Sequence, residues 1–460
     1  MKFVNRSDEL AALRELKKLS SKKLFLVALY GLRRVGKTRL LLEFLDGGGL
    51  YFFVNRNKTS KELLAEYEAV LKEKKILGDL EGLPSWDSFF GILVKRAASP
   101  VVFDEFQEFA VVEPSVFGIL QKTADLHENT GGLFILSGSL IGLVRHMFED
   151  SKEPLYGRVK KGMRMCPLSV QSVLALGREL ELPPEETIKL YAIFGGYPKY
   201  YVAMEDFALQ KKPAEEIISR LLLDKDAPLE DEVRILLSGE FGARGGLYYS
   251  ILEEIAQGGA TISSIAARLG LPPTSITRQV GELKDYFEFI GYETPFFGKR
   301  GSYVLRHPLM AFWFRKISRR YSDYSARNAG LIDAIKKDLN SDFGHGFETV
   351  MRDFVISKLS LGDAARQWGK IPPPFGPKPG KDQYEIDLIG RKDGGIVAFE
   401  IKYKKMGLKE ALGVLLTLKE KLAYVPGLPE KTKLGIIAGH IEGKKELAKL
   451  GYYAYDIDDL

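Results

Sequence analysis

One cysteine, Cys166, stands among 460 residues. A lone thiol excludes a disulfide within the chain and any zinc site built on several cysteines. It fits a reducing compartment, where disulfides are rare, and its apolar surroundings before Pro167 suggest a core position. Histidine is scarce too: five residues, His307 and His345 among them, stand at no spacing that would gather a metal. No apolar run reaches the ~20 residues that cross a bilayer. The opening Met1-Lys2-Phe3-Val4-Asn5-Arg6-Ser7-Asp8 is polar and lacks a signal-peptide core. A cytoplasmic protein without membrane contact is the expectation. Charge of one sign is also missing: 67 Lys and Arg face 61 Asp and Glu, a net of +6. That balance permits a nucleic-acid partner without requiring one. Hydrophobic residues, at 45%, suffice for sizeable cores, and the length suits about two to four domains.

The most informative string present is Gly31-Leu32-Arg33-Arg34-Val35-Gly36-Lys37-Thr38, which reads G-x-x-x-x-G-K-T, a phosphate-binding loop. The apolar run Lys23 to Tyr30 suits a buried strand before it, and Arg39 to Leu45 continues as a helix after it. Strand, glycine-rich turn and helix let backbone N–H groups and a helix N-terminus surround phosphate oxygens. ATP contacts are expected from Gly31 through Thr38 and on to Arg39. Lys37 would reach the β- and γ-phosphates, and the Thr38 hydroxyl would ligate Mg²⁺. A second buried strand, Val101 to Phe103, ends in Asp104 and Glu105. Asp104 would hold Mg²⁺ through water, and Glu105 would orient and deprotonate the attacking water. A third strand, from Gly132, ends at Ser137-Gly138-Ser139. This polar end, Ser137 to Ser139, with Ser137 as the candidate contact, lies where a γ-phosphate sensor would sit; a plain strand-to-loop turn explains the same residues. Tyr51 to Val54 adds a strand, followed by a helix from near Ser60. Alternating strands and helices predict an α/β fold with a parallel sheet and a site at the strands' carboxyl ends.

With these motifs in place, residues 1 to about 245 resemble the archaeal ATPase family, an AAA+-related, STAND-type branch of P-loop NTPases. Phe3-Val4-Asn5-Arg6-Ser7-Asp8-Glu9-Leu10 is similar to its N-terminal box, which packs near the adenine. Leu155-Tyr156-Gly157-Arg158 resembles its motif before the last core strand. The resemblance implies a phosphate-sensing or finger role for Arg158; an arginine tying a loop to a nearby carboxylate is the alternative. Gly195-Gly196-Tyr197-Pro198 resembles the lid motif whose proline, here Pro198, rests against the adenine. On residues alone it is a turn between two helices.

From Leu247 the pattern becomes a three-helix unit. Tyr248 to Ile255 forms one helix, Thr261 caps a second carrying Ile262, Ile265, Ala266 and Leu269, and Gly270-Leu271-Pro272-Pro273 turns the chain. Thr274 or Ser275 then caps a third helix with Ile276, Val280 and Leu283. This is helix-turn-helix spacing. Two β-prone segments around Gly298-Lys299-Arg300-Gly301 make a wing with a basic tip. Thr274, Ser275, Thr277, Arg278 and Gln279 would meet bases and phosphates, with Lys299 and Arg300 on the backbone. A structural arm closing over the nucleotide domain is the competing role. The cations Arg315, Lys316, Arg319 and Arg320 favour DNA, unless they are a solvated helix face.

Near the C-terminus, Glu385-Ile386-Asp387-Leu388-Ile389-Gly390 and Val397-Ala398-Phe399-Glu400-Ile401-Lys402 flank Asp393-Gly394, a strong hairpin signal. With Asp393-Gly394 central to the turn, Asp387 faces Glu400 and Glu385 faces Lys402, all on one face. Directly opposed Cβ atoms are about 5 Å apart, which suits two carboxylates on one divalent ion. D-x(12)-E-x-K resembles the PD-(D/E)xK signature of restriction-endonuclease-like nucleases, with Ile386 in place of the frequent proline. The resemblance implies that Asp387 and Glu400 bind Mg²⁺ or Mn²⁺ and that Lys402 activates water. It also implies that Glu348, on a helix beginning near Phe347, adds an acid. An inactive domain with a salt-bridged hairpin is the alternative. Ile371 to Gly380 reads as a proline-rich loop. Lys404, Lys405 and Lys409 either meet phosphates or stand exposed.

The expected organisation is a P-loop ATPase core over 1-170, a helical lid over 171-245, a winged helix-turn-helix over 246-306 and a nuclease-like α/β domain over 307-460. The resemblances imply an ATPase acting on DNA, with Mg²⁺-dependent nuclease activity at the C-terminus. The alternative is an ATP-dependent regulatory switch whose C-terminal domain binds DNA or protein without cleaving. A homo-oligomer or a protein partner is compatible with either.

Overall fold

Five short apolar segments build the first sheet. In the computed structural model, which describes residues 5–46, 48–97, 100–242, 245–372, 382–428 and 432–460, these are β1 (Leu24–Tyr30), β2 (Leu50–Phe53), β3 (Val101–Asp104), β4 (Gly132–Gly138) and β5 (Val159–Arg164). All their pairings are parallel, in the order β2-β3-β4-β1-β5. Every residue of β3 and β4 is buried, as expected of central strands covered on both faces. One face packs an aromatic core of Phe52, Tyr67, Trp86, Phe89, Phe90 and Phe103. Much of it comes from the helices Ser60–Glu73 and Trp86–Arg96, which start on Thr59 and Ser85 as side-chain caps. Because β4 inserts between β1 and β3, the loop after β1, the Asp104-Glu105 pair and the Ser137–Ser139 turn all lie at the carboxyl edge. The chain divides into two units, and the first comprises Met1–Leu168, Tyr197–Val202 and Asp285–Glu288.

The second unit comprises Ser169–Gly196, Ala203–Lys284 and Phe289–Leu460. The helices Gly245–Ala256 and Ile262–Leu269 form as expected, the latter on a Thr261–Ser264 capping box. The third helix departs from expectation. Pro273–Ser275 winds as a 3₁₀ turn, Ile276 takes the cap position, and Thr277–Gly281 follows. Neither Thr274 nor Ser275 caps it: tandem prolines fix the preceding backbone, and buried Ile276 anchors the turn. β6 (Ile290–Glu293) and β7 (Ser302–Leu305) pair antiparallel around the basic tip.

A second five-stranded sheet follows, ordered β12-β11-β10-β9-β8. Its strands are β8 (Ala364–Lys370), β9 (Gln383–Lys392), β10 (Gly395–Met406), β11 (Thr432–Ile441) and β12 (Tyr453–Tyr455). β8, β9 and β10 are antiparallel neighbours, whereas β10, β11 and β12 run parallel. The helix Ala329–Lys358 packs Phe347, Val350, Met351 and Val355 against Leu388, Phe399 and Ile401. The helix Leu408–Leu422 packs Ala411 and Leu415 against Ile436 and Ala438. Glu348 therefore lies inside a 30-residue helix that begins at Ala329, well before Phe347. No residue between Ala329 and Phe347 is a proline, so nothing interrupts the helical run. Gly346 permits this helix to cross Pro184–Phe194 closely: a Cβ there would stand 2.0 Å from the Ala192 Cβ. Among the described residues no helix is long and apolar enough to cross a membrane.

Candidate functional site

The phosphate loop is held from both sides. Met165 N donates to the Tyr30 carbonyl (2.7 Å), and a Cβ at Gly31 would lie 2.3 Å from the Met165 carbonyl oxygen, so only glycine fits there. Gly36 turns the chain at φ +94°, a left-handed conformation, before the helix Lys37–Leu45. Arg6 enters from the N-terminal segment, and its guanidinium is 8% exposed. It donates to the carbonyls of Val35 (3.0 Å) and Cys166 (2.8 Å) and pairs with Glu9. The N-terminal box thus reaches the loop through Arg6; Phe3 and Val4 lie outside the described residues. Pro198 approaches the same loop, its Cγ 3.8 Å from a Cβ built at Gly36. The turn Gly195-Gly196-Tyr197 does join two helices, Pro184–Phe194 and Pro198–Asp206. Cys166 is exposed, not core as its neighbours suggested. Its carbonyl is drawn inward to Arg6 while its side chain faces out.

Lys37 is buried and donates to the carbonyls of Gly31 (2.7 Å) and Leu32 (3.1 Å). Thr38 Oγ1 donates to Asp104 Oδ2 (2.6 Å), and the Tyr51 hydroxyl donates to that same oxygen (2.9 Å). Asp104 is 1% exposed. Burial, and then the Asp104 charge, push the Tyr51 hydroxyl well above its ordinary pKa, so it stays a donor. Glu105 follows at φ +55°, a left-handed conformation uncommon for any residue but glycine and found most often at turns and functional sites. Its carboxylate accepts from Ser139 Oγ (2.7 Å) and from Gln107 Nε2. Ser137 Oγ is buried without a hydrogen-bond partner, so it is Ser139 that reaches the acidic pair. Thr38 and Asp104 together fit a hydrated divalent ion: a hydroxyl and a buried carboxylate, both oxygen donors, converge at the loop.

Two expected contacts are not brought there. Arg158 stands before β5, whose Val159 pairs with Leu26 while Arg164 pairs with Tyr30. It is thus at the amino end of the sheet, about 20 Å along the strand from the loop side. Its guanidinium pairs with Asp125 (3.0 Å) and the Tyr156 carbonyl, the loop-tying role. Arg39 is largely exposed and turned to Glu43 at 3.7 Å. Tyr51 and Gln107 are additions that the sequence did not single out by role, whereas Ser139 belongs to the expected Ser137–Ser139 turn.

The second cluster forms on the β9–β10 hairpin. Asp393 and Gly394 both have positive φ, +49° and +77°, as a two-residue type I′ turn requires. Pairing runs from Lys392–Gly395 to Leu388–Phe399, the expected register. Beyond it the strands part. Asp387 Oδ2 accepts from Ile401 N at 2.7 Å. Glu385 does not face Lys402; it pairs with Trp368 of β8 and bonds Arg366. A shift in the β8–β9 register draws this end of β9 to its other neighbour. Asp387 and Glu400 are 9% and 4% exposed. Lys402 Nζ lies 2.8 Å from Glu400 Oε1 and 3.6 Å from Asp387 Oδ2. Lys421, from the helix Leu408–Leu422, donates to the same Glu400 Oε1 at 2.7 Å. Glu400 Oε2 is buried and has no partner. Burial, and then the Glu400 charge, raise the Asp387 carboxyl pKa; burial, and then Asp387, raise that of Glu348. Burial works against the charge of Lys402, but Asp387 and Glu400 outweigh it and raise its pKa. Glu348 also lines a 520 Å³ cleft with Asn340, Ser341, His345 and Tyr403.

Thr274, Ser275, Arg278, Lys299 and Arg300 are all exposed, and Arg278 pairs with Glu282 at 2.8 Å. The four cations that seemed to favour DNA are internally matched. Arg315 and Lys316 meet Asp342, Arg319 meets Glu254, and Arg320 meets Asp323. Most of these partners are distant in sequence, which hid the neutralisation. Lys404 pairs with Glu410. The proline-rich stretch from Pro373 to Gly380 lies outside the described residues.

Residues 3–204 match the profile of an ATPase domain found predominantly in Archaea. Residues 313–414 match a family of archaeal and bacterial proteins of unknown function. The chain is 28% identical to an uncharacterized protein of Methanocaldococcus jannaschii, across 96% of this chain and 97% of the relative. It shares its fold with a Walker-type ATPase of Pyrococcus abyssi, PABY2304, at a TM-score of 0.53 and 22% identity. That likeness covers 68% of this chain and 96% of the other. The phosphate loop, the buried acidic pair and the parallel sheet agree with these matches: residues 3–204 are similar to the predominantly archaeal ATPase domain and form a P-loop ATPase.

Proposed function

We propose that this ATPase acts on DNA and that its C-terminal domain hydrolyses phosphodiester bonds with a divalent metal. The observation that carries the reading is Glu400 Oε2, a carboxylate oxygen buried without a partner on a residue that adjoins Asp387 and Lys402, with Glu348 on the far side of Asp387 and Lys402 rather than against Glu400. A buried unpaired carboxylate oxygen is costly, and an oxygen-ligated cation is the simplest group that would satisfy it. The donor set fits Mg²⁺ or Mn²⁺, which favour carboxylate oxygens. Asp387 and Glu400 would hold the ion, with Glu348 the third acid. Such an ion supplies charge stabilisation at the phosphoryl oxygens and a more acidic bound water. Lys402, held between the two carboxylates, would position that water. Thr274, Ser275 and Arg278, with Lys299 and Arg300 at the hairpin tip, would form a winged helix meeting phosphates and bases.

In the nucleotide site, Lys37 would leave its loop carbonyls for the β- and γ-phosphates. Thr38 and Asp104 would hold hydrated Mg²⁺, with Tyr51 fixing Asp104. Glu105, set by Ser139 and Gln107, would orient the attacking water. Pro198 and the Arg6 segment would flank the adenine.

Linear and circular DNA incubated with Mg²⁺ or Mn²⁺, with and without ATP, tests the reading. Cleavage by the wild type that is lost in both Asp387→Asn and Lys402→Met supports it. Cleavage that persists in both refutes the assigned site. Salt-sensitive DNA binding without cleavage, lost on changing Arg278 and Lys299, favours a regulatory switch instead.

A further inference from the structure

Two ammonium groups share one oxygen of Glu400. Lys402 Nζ stands at 2.8 Å and Lys421 Nζ at 2.7 Å from Oε1, while Oε2 makes no hydrogen bond. Lys402 has two anionic neighbours, since Asp387 is 3.6 Å away. Among the described residues Lys421 makes one ion pair, with Glu400, its charge reaching Asp387 from farther off, and it approaches from a helix rather than from the hairpin. Its side chain is 23% exposed, so solvent is within reach. With Glu348 counted beside Asp387 and Glu400, three carboxyl groups face two ammonium groups, so the cluster is already close to balance without a metal. A divalent ion held by the same carboxylates would overcharge the cluster unless an ammonium withdrew. Like charges in a partly buried site repel far more strongly than in water. The lysine with one anchor is the one to leave.

We propose that Lys421 is a resident counter-cation of this site that a divalent metal must displace from Glu400. The inference rests on the metal-site reading above. Lys421 thereby sets how much free metal is needed to load the site. It is a positioning residue, because it acts through Glu400. Its flexible four-carbon stem and single charged head allow withdrawal without movement of the helix.

Isothermal titration of the full-length protein with Mn²⁺, without DNA or nucleotide, tests this. Wild type, Lys421→Met, Lys421→Arg and Glu400→Gln are compared, and heat surviving in Glu400→Gln is assigned to the nucleotide site. Thermal unfolding confirms that each variant is folded. The expected result is that Lys421→Met binds Mn²⁺ at least about tenfold more tightly than wild type, while Lys421→Arg, which keeps the charge, does not. Equal or weaker binding by Lys421→Met, with wild-type binding present, overturns the role of Lys421 and leaves the metal site standing. No Glu400-dependent binding in any variant overturns both.

Discussion

Replacing Arg6 with Met keeps most of the apolar length of the side chain and deletes its donors. In the wild type those donors hold the Val35 carbonyl at 3.0 Å and the Cys166 carbonyl at 2.8 Å. They link the phosphate loop to the segment after β5. A hydrogen bond from a charged group contributes about 1.5–3 kcal/mol. The bond to Val35 is buried and is lost outright, whereas water can partly replace the one to Cys166, which is half-buried. The expected loss is about 2–4 kcal/mol, from one full bond, part of another and the part-exposed pair with Glu9, which adds under about 1 kcal/mol. In a domain of this size each kcal/mol lowers Tm by about 2–4 °C, so the variant should melt roughly 4–16 °C below wild type. The loop it no longer braces should bind a non-hydrolysable ATP analogue about tenfold more weakly, equivalent to ~1.4 kcal/mol. Arg6→Lys should fall between, because Nη2 alone serves both carbonyls while Nη1 holds Glu9, and one ammonium cannot keep all three partners as the planar fork does. Scanning calorimetry and isothermal titration give the two numbers. Arg6→Met melting with wild-type Tm and binding the analogue with unchanged affinity would refute the bracing argument.

Arg158→Ala should leave ATP turnover within about twofold of wild type and cost at most about 1 kcal/mol, since its partner Asp125 is half-exposed. A hundredfold loss of turnover would restore a phosphate-sensing role. His307 is buried and its Nδ1 accepts from Met310 N, capping the helix Pro308–Lys316. Burial pushes its pKa down to about 3. The unfolded chain therefore binds the extra proton first: the stability is present above about pH 6.5 and is lost as pH falls toward 3. Denaturant titrations between pH 5 and 6.5 should show wild type losing up to ~1.4 kcal/mol per pH unit more than His307→Asn. Parallel pH profiles for the two proteins would contradict the assignment.

How much of this was legible in the sequence depended on how local the determinants are. The phosphate loop is written in adjacent residues, because a Gly at φ +94° and a Lys opening a helix must be neighbours in the chain. The Asp387–Glu400 juxtaposition was legible for a similar reason. A two-residue Asp-Gly turn fixes the register of the residues nearest it, and the ladder runs as expected up to Leu388–Phe399, one step short of Asp387 and Glu400, whose charges still bear on each other. Glu385 escaped the pattern because β8, a strand no local signal announced, competes for that end of β9. Lys421 was invisible because it meets Glu400 across a helix–sheet contact. Tyr51 was read only as part of a strand; that its hydroxyl shares Asp104 with Thr38 follows from β2 lying beside β3. For Arg158 the sequence left two roles open, because motif order along the chain does not say which end of a parallel strand a residue occupies; the fold brings it to Asp125, the loop-tying alternative. The cations from Arg315 to Arg320 show the opposite case: charge is visible in sequence, but the matching carboxylates of Glu254 and Asp342 become neighbours only on folding.

Anomalous X-ray scattering from crystals grown with Mn²⁺ tests the central claim most directly. The account predicts a peak at metal–oxygen distance from both Asp387 and Glu400, with Lys421 no longer on Glu400. Crystals in which both lysines remain on Glu400 Oε1 and no manganese lies beside Asp387, at a concentration that saturates the nucleotide site, would contradict it.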